Sequence, residues 1–176
     1  MSDRHPREQL NERDLWAHSK RGQNFLVSPD RLDRAAEAAE LCGEEVVLEV
    51  GAGLGRLSRR LAARAARLVT VEIDRGLYDI AVERLANLEN VELLCADVLQ
   101  DKHTLNPEVD AAVRRALRDT GAPLKVVGNL PYGISSPLLL ALLEWDVPLE
   151  TISVMLQQEV ADRLRASPGG DQYGPL

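Results

Sequence analysis

Short apolar runs alternating with amphipathic segments predict an α/β domain: a doubly wound, mainly parallel Rossmann-like sheet covered on both faces. Three observations carry this. Runs rich in β-branched residues recur along the chain, each too short for a helix and too continuously apolar for a half-solvated strand. Helical patterns lie between them, the alternation that parallel strands and right-handed crossovers require. A glycine-rich turn, Gly51-Ala52-Gly53-Leu54-Gly55, stands where the first strand hands over to a helix.

Strands are expected over 46–50, 68–73, 91–95, 125–128 and 151–156, and helices near 30–41, 56–66, 75–87, 107–119, 136–145 and 158–166. Ser28 or Asp30 can cap the first helix, and Asn106-Pro107 opens the fourth with a cap and a proline in the first turn. In the second helix, Leu57, Leu61, Ala65 and Leu68 form the stripe that faces the core. The five arginines of residues 56–67 are then expected on the opposite, solvated side. Residues 99–124 are the longest connection. The closing SPGGDQYGPL reads as a loop entering a further element that is absent.

Length and composition suit a single ordinary globular domain: 176 residues, 45% hydrophobic and 28% charged. No apolar run approaches the roughly 20 residues that span a bilayer. The N-terminus has no apolar signal core, and Asp3, Glu8, Glu12 and Asp14 argue against a transit peptide, so a cytoplasmic location is expected. Cys42 and Cys95 form no CxxC pair and no His/Cys cluster has zinc spacing; two buried, reduced thiols and no metal are expected. The net charge of −7 neither supports nor excludes a nucleic-acid partner.

The glycine spacing decides between cofactors. Dinucleotide sites use GxGxxG and rest a pyrophosphate on the next helix, whereas Glu49-Val50-Gly51-Ala52-Gly53-Leu54-Gly55 reads GxGxG after an acid. S-adenosylmethionine carries an ammonium and a sulfonium and no phosphate, so an acid and backbone carbonyls suit it better than an anion cradle. Glu72 ends the second strand, where a carboxylate can accept from both ribose hydroxyls. Its neighbour Asp74 points the other way by strand alternation. Asp97, just past the third strand, is placed to accept from the cofactor's adenine amine. The set predicts the class I S-adenosylmethionine-dependent methyltransferase type of sheet.

The fourth strand delivers Asn129-Leu130-Pro131-Tyr132 to the same edge. An adenine amine is a poor nucleophile because its lone pair is delocalised into the ring. If the Asn129 side-chain oxygen and the Leu130 carbonyl accept its two N–H bonds, the nitrogen can become pyramidal as it attacks. Pro131 stiffens the backbone and Tyr132 can stack on the base, worth about 1–3 kcal/mol. Such an amine is reached only in a flipped base or a loop, and RNA adenine-N6 methylation is the expected reaction.

These motifs resemble the ribosomal RNA adenine dimethyltransferase family over residues 18–176. The most specific pieces are KRGQNFL (20–26), 49–55, GNLPYGISSP (128–137), LQQEVADRL (156–164) and YGPL (173–176). The resemblance implies that Asn24 and Leu26 contact the cofactor from an N-terminal arm (1–27) attached to the methyltransferase domain (28–176). Gly51 and Gly53 then lie in the cofactor loop, Glu72 binds the ribose, Asp97 binds the adenine, and Asn129 bridges cofactor and target base. It also implies dimethylation of two adjacent adenines near the 3′ end of small-subunit rRNA, with the small ribosomal subunit as partner and a monomer as the acting form. Family members continue into further strands and a basic helical RNA-binding domain, so the chain is expected to be C-terminally truncated, with its last strands missing. The alternatives are a large-subunit rRNA methyltransferase of the erythromycin-resistance type, which usually has isoleucine where Leu130 stands, and a non-catalytic ribosome-assembly factor. A nicotinamide oxidoreductase fails on the glycine spacing.

Overall fold

The computed structural model describes residues 28–131, 133–170 and 174. Its elements alternate as α1 (Pro29–Glu37), β1 (Val46–Val50), α2 (Arg56–Ala62), β2 (Arg67–Glu72), α3 (Arg75–Leu85), β3 (Val91–Cys95), α4 (Pro107–Thr120), β4 (Leu124–Asn129), α5 (Ser135–Glu144), β5 (Leu149–Met155) and α6 (Gln158–Arg165). Every strand pairing is parallel, in the order β3-β2-β1-β4-β5. The chain therefore starts in the middle, builds to one edge, and crosses back over β1 to build the other. The order reverses between β1 and β4, which makes the carboxyl ends of those two strands the switch point where open α/β sheets bind ligands.

The continuously apolar strands are explained by helices on both faces. On one, Val46, Leu48, Val50, Val69, Val71 and Val126 pack against Val109, Ala112, Val113 and Ala116 of α4 and Leu138 and Leu142 of α5. On the other, Val47, Leu68 and Val127 meet Leu32 and Ala36 of α1 and Leu57 and Leu61 of α2. Leu57, Leu61, Ala65 and Leu68 are all buried, but not as one helical stripe: α2 ends at Ala62, Ala65 lies in the connection after it, and Leu68 belongs to β2.

Local chemistry sets most boundaries. Asn106 caps α4 by accepting from the Glu108 N–H at 2.9 Å, Pro107 fills the first turn, and Gly121 ends it at φ 66°. Ser28 occupies the cap position of α1 but makes no side-chain cap bond. That helix ends at Glu37 rather than near 41, and Glu40 turns the chain at φ 48°. Residues 99–124 are α4 preceded by a small hairpin, in which Leu99 bridges Leu105 and the Gln100 N–H donates to the Thr104 carbonyl at 2.9 Å.

Two expectations are corrected. Cys42 and Cys95 are exposed: one lies in the turn after α1, the other ends the sheet's edge strand, and neither place is covered. The arginines of 56–67 do not share one solvated side, because Arg56 is buried where α2 leaves the glycine turn and Arg60 pairs with Asp33 of α1. No helix among the described residues is long and apolar enough to cross a membrane.

Candidate functional site

A parallel sheet puts the carboxyl ends of its strands along one edge, and Gly51, Gly53, Glu72, Asp97 and Asn129 lie along it. Gly51 leaves β1 at φ 85°, and its N–H and that of Ala52 both donate to the Val71 carbonyl at 3.0 Å. Gly53 and Gly55 follow at φ 54° and 70°, conformations that side-chain-bearing residues rarely adopt. Gly55 also lets α3 approach: a Cβ there would lie 3.4 Å from the Ala81 Cα.

Glu72, at the end of β2, is 5% exposed. The Gly53 N–H donates to its Oε2 at 2.7 Å and the Asp74 N–H to its Oε1 at 2.8 Å. Burial pushes the Glu72 carboxyl above the ordinary range, against the opposing pull of those two N–H groups. Each oxygen keeps a second lone pair for a ligand hydroxyl. Asp74 is turned away, as alternation predicts, and caps α3 through the Gly76 and Leu77 N–H groups.

Asp97 lies exposed beyond β3, and its Oδ1 accepts from the Leu99 N–H at 3.0 Å. It therefore holds the start of the hairpin while remaining accessible at the site edge. Asn24, Leu26 and Tyr132 lie outside the described residues.

Asn129 ends β4 beside Gly51: the Cβ direction of that glycine runs toward the Asn129 carbonyl oxygen, 3.9 Å away. The next peptide groups are used in a way that selects one acceptor. The Leu130 N–H donates to the Met155 carbonyl at 3.2 Å. The Pro131 carbonyl accepts from the Ile134 N–H at 3.2 Å and the Ser135 hydroxyl at 3.1 Å. Among the described residues no backbone N–H donates to the Leu130 carbonyl.

Residue-by-residue reading of the sequence missed two features. Gly128 is needed for close packing, because a Cβ there would sit 2.9 Å from the Val50 carbonyl oxygen and 3.1 Å from Leu130 Cδ2. A glycine inside an otherwise β-branched strand was the available signal. Glu49, placed by its sequence beside the glycine turn, is fully buried beneath it and accepts from the Thr70 hydroxyl at 2.6 Å. Thr70, a polar residue in the run Leu68-Val69-Thr70-Val71, was the sign of a buried partner.

The residues fit an S-adenosylmethionine ligand by their donor set. Two carboxylates, Glu72 and Asp97, stand at or just beyond strand ends as acceptors for hydroxyls and an exocyclic amine, and the glycine turn and Asn129 lie at the ends of the neighbouring strands. Among the described residues no group of three or more His, Cys, Asp or Glu is arranged to hold a metal ion.

Comparison with known proteins identifies the family and the fold. The model of the family described as ribosomal RNA adenine dimethylase matches residues 15–176. The chain is 36% identical over 170 residues to the ribosomal RNA small subunit methyltransferase A of Lachnoclostridium phytofermentans, covering 96% of this chain and 56% of that protein. It is 39% identical over 167 residues to the protein of that name from Pediococcus pentosaceus, covering 95% and 54%. Among solved structures, a dimethyladenosine transferase from Plasmodium falciparum superposes with a TM-score of 0.69 at 27% identity, over 86% of this chain and 50% of that one. The 23S rRNA methyltransferase ErmE superposes with a TM-score of 0.64 at 34% identity, over 80% and 50%. The chain spans about half the length of the curated relatives it matches.

Proposed function

The chain belongs to the ribosomal RNA adenine dimethylase family, and from that premise we propose that it carries the catalytic half of an S-adenosylmethionine-dependent N6,N6-dimethyltransferase acting on two adjacent adenines near the 3′ end of small-subunit rRNA. In this reading it works in the cytoplasm as a monomer, binds the small ribosomal subunit during ribosome biogenesis, and needs no metal. The observation that carries the proposal is the meeting of the two halves of the site. Gly51 of the cofactor turn and Asn129 of the base-binding segment are neighbours at the switch point, with the Leu130 carbonyl next in the chain.

When bound, S-adenosylmethionine supplies an electrophilic methyl on a positively charged sulfur. Glu72 accepts from the ribose hydroxyls while Gly53 holds its carboxylate in place. Asp97 accepts from the cofactor's adenine amine. The Asn129 side-chain oxygen and the Leu130 carbonyl accept the two N–H bonds of the target amine, which draws its lone pair out of the ring and aims it at the methyl. Asn24 and Leu26 close the cofactor side and Tyr132 stacks on the base, roles that rest on the family resemblance.

The test is incubation with labelled S-adenosylmethionine and undermethylated small subunits, followed by nucleoside mass spectrometry. Dimethyladenosine in the small-subunit rRNA is expected. Product only in large-subunit rRNA would replace the reading with the ErmE-like one. Cofactor binding without product on any rRNA, even with a relative's C-terminal half appended, would make the chain a non-catalytic assembly factor.

A further inference from the structure

The cofactor-site reading leaves one group unexplained. Glu49 is fully buried under the glycine turn, one residue before the end of β1. Its Oε2 accepts from the Thr70 hydroxyl at 2.6 Å, while its Oε1 has only the Ser58 hydroxyl nearby, without a well-formed hydrogen bond among the described residues. An ionised carboxylate with such an oxygen in such a place is strongly disfavoured.

Among the described residues, the strands on either side of Glu49 place no cation beside it. Across the sheet, β2 presents Thr70 in register with Glu49, then Glu72 two residues later on the same face, a second acid that opposes ionisation. On β4 the register partner is Val127, and Lys125, two residues earlier on that face, is held at the opposite end of the strand by Glu45. Above this face, α1 contributes Leu32 and Ala36, and α2 contributes Ser58 together with Arg56 at its first turn. Burial pushes the Glu49 carboxyl up to about 7, with the Ser58 and Thr70 hydroxyls pulling the other way and Glu72 adding to the rise.

We infer that Glu49 is a proton-linked positioning residue of the cofactor site: its carboxyl gives up a proton to solvent when the cationic cofactor settles on the turn above it. The inference rests on the S-adenosylmethionine reading and adds its regulation. The O–H bond of Glu49 breaks, the proton leaves to buffer, and the carboxylate left behind is stabilised by the incoming positive charge. The demethylated product would keep its ammonium and carboxylate but carry no sulfonium charge, so Glu49 would take a proton back and hold that product less tightly. Binding therefore tightens with pH across neutrality, and the charged cofactor is preferred over its product.

Titration calorimetry with S-adenosylmethionine tests this in phosphate and in Tris, whose ionisation enthalpies differ, at pH 6 and pH 7. At these values the cofactor's own amine, with an ordinary pKa of about 7.7–8.0, stays charged. The expected result is release approaching one proton at pH 6 and about half at pH 7, with affinity rising about fivefold between them. Glu49→Gln keeps the size and neutrality of the protonated acid, so it should fold, bind, and lose both the proton release and this pH dependence. S-adenosylhomocysteine should release fewer protons than S-adenosylmethionine. Equal heats in both buffers for the unmodified protein would overturn the inference, as would undiminished release in Glu49→Gln or equal release with both ligands. Failure of S-adenosylmethionine to bind at any pH is a different result: it removes the cofactor reading, and the inference with it.

Discussion

The Gly53 N–H donates to the Glu72 Oε2 at 2.7 Å, so the glycine turn and the acid at the end of β2 hold each other before any ligand is considered. Each needs the other. A turn with φ near 54° has no side chain to fix it, and a buried carboxylate needs N–H donors.

Glu72→Gln exchanges one acceptor oxygen for a donor that faces the Gly53 or Asp74 N–H. S-adenosylmethionine affinity should fall by roughly 1–3 kcal/mol, read by calorimetry, with the fold intact by circular dichroism. Unchanged affinity would remove Glu72 from the ribose site.

Asp97→Ala removes an acceptor at the cofactor edge and the bond that holds the Leu99 N–H. A loss of roughly 1–3 kcal/mol in cofactor binding is expected. Asp97→Asn retains an oxygen for Leu99, so a similar loss in that variant would assign the effect to the ligand rather than to the hairpin.

Asn129→Ala should abolish methyl transfer while reducing cofactor affinity much less, because the amide's bonds to the target amine strengthen as the nitrogen becomes pyramidal. Single-turnover rates beside binding isotherms separate the two. Equal losses in both would make Asn129 chiefly a cofactor ligand.

Gly128→Ala drives a methyl to 2.9 Å from the Val50 carbonyl oxygen, against backbone that cannot yield cheaply. Stability should drop by roughly 1–3 kcal/mol in urea titration. Activity should fall further than that, because β4 must shift away from β1 and carries Asn129 with it.

Two carboxyls give the stability curve opposite slopes. For Glu45, burial acts to raise the pKa, but the Cys42 N–H and thiol and the Lys125 ammonium overcome it and hold the group at about 2, below its ordinary 4.5. A depressed acid contributes stability that is present above pH 4.5 and lost as pH falls toward 2. Glu49, raised to about 7, contributes stability that is full below pH 4.5 and is lost as pH rises through 7. Glu49→Gln should therefore be more stable than the unmodified protein at pH 8 and close to it at pH 4.5. Lys125→Met should be destabilised and should begin acid unfolding at a higher pH, since it leaves the buried Glu45 without its cation. Chemical unfolding measured at pH 3, 4.5 and 8 checks both.

Most of the fold was legible because strand and helix periods differ and the punctuation is explicit. The Asn106-Pro107 cap is local chemistry that needs no neighbour, and the same holds for the β-branched runs. The placement of the candidate residues was legible for a related reason: Glu72 and Asn129 end strands, the GxGxG turn and Asp97 follow them, and a parallel sheet brings all strand ends to one edge. Where the reading erred, a neighbour decided. Arg56 is buried by the turn it leaves, and Cys95 is exposed because, among the described residues, no strand lies beyond β3.

By itself, then, the sequence determined which segments are strands, that they run parallel, and which residues stand at their carboxyl ends, since period, caps and crossover handedness act along the chain. The tertiary structure alone decided the order β3-β2-β1-β4-β5 and the consequences of that order. It set Gly51 against Asn129, gave Glu72 the Gly53 N–H, and sealed Glu49 in a place where its charge depends on what lies above it. These are matters of distance and dielectric between residues far apart in the chain, and no local pattern records them.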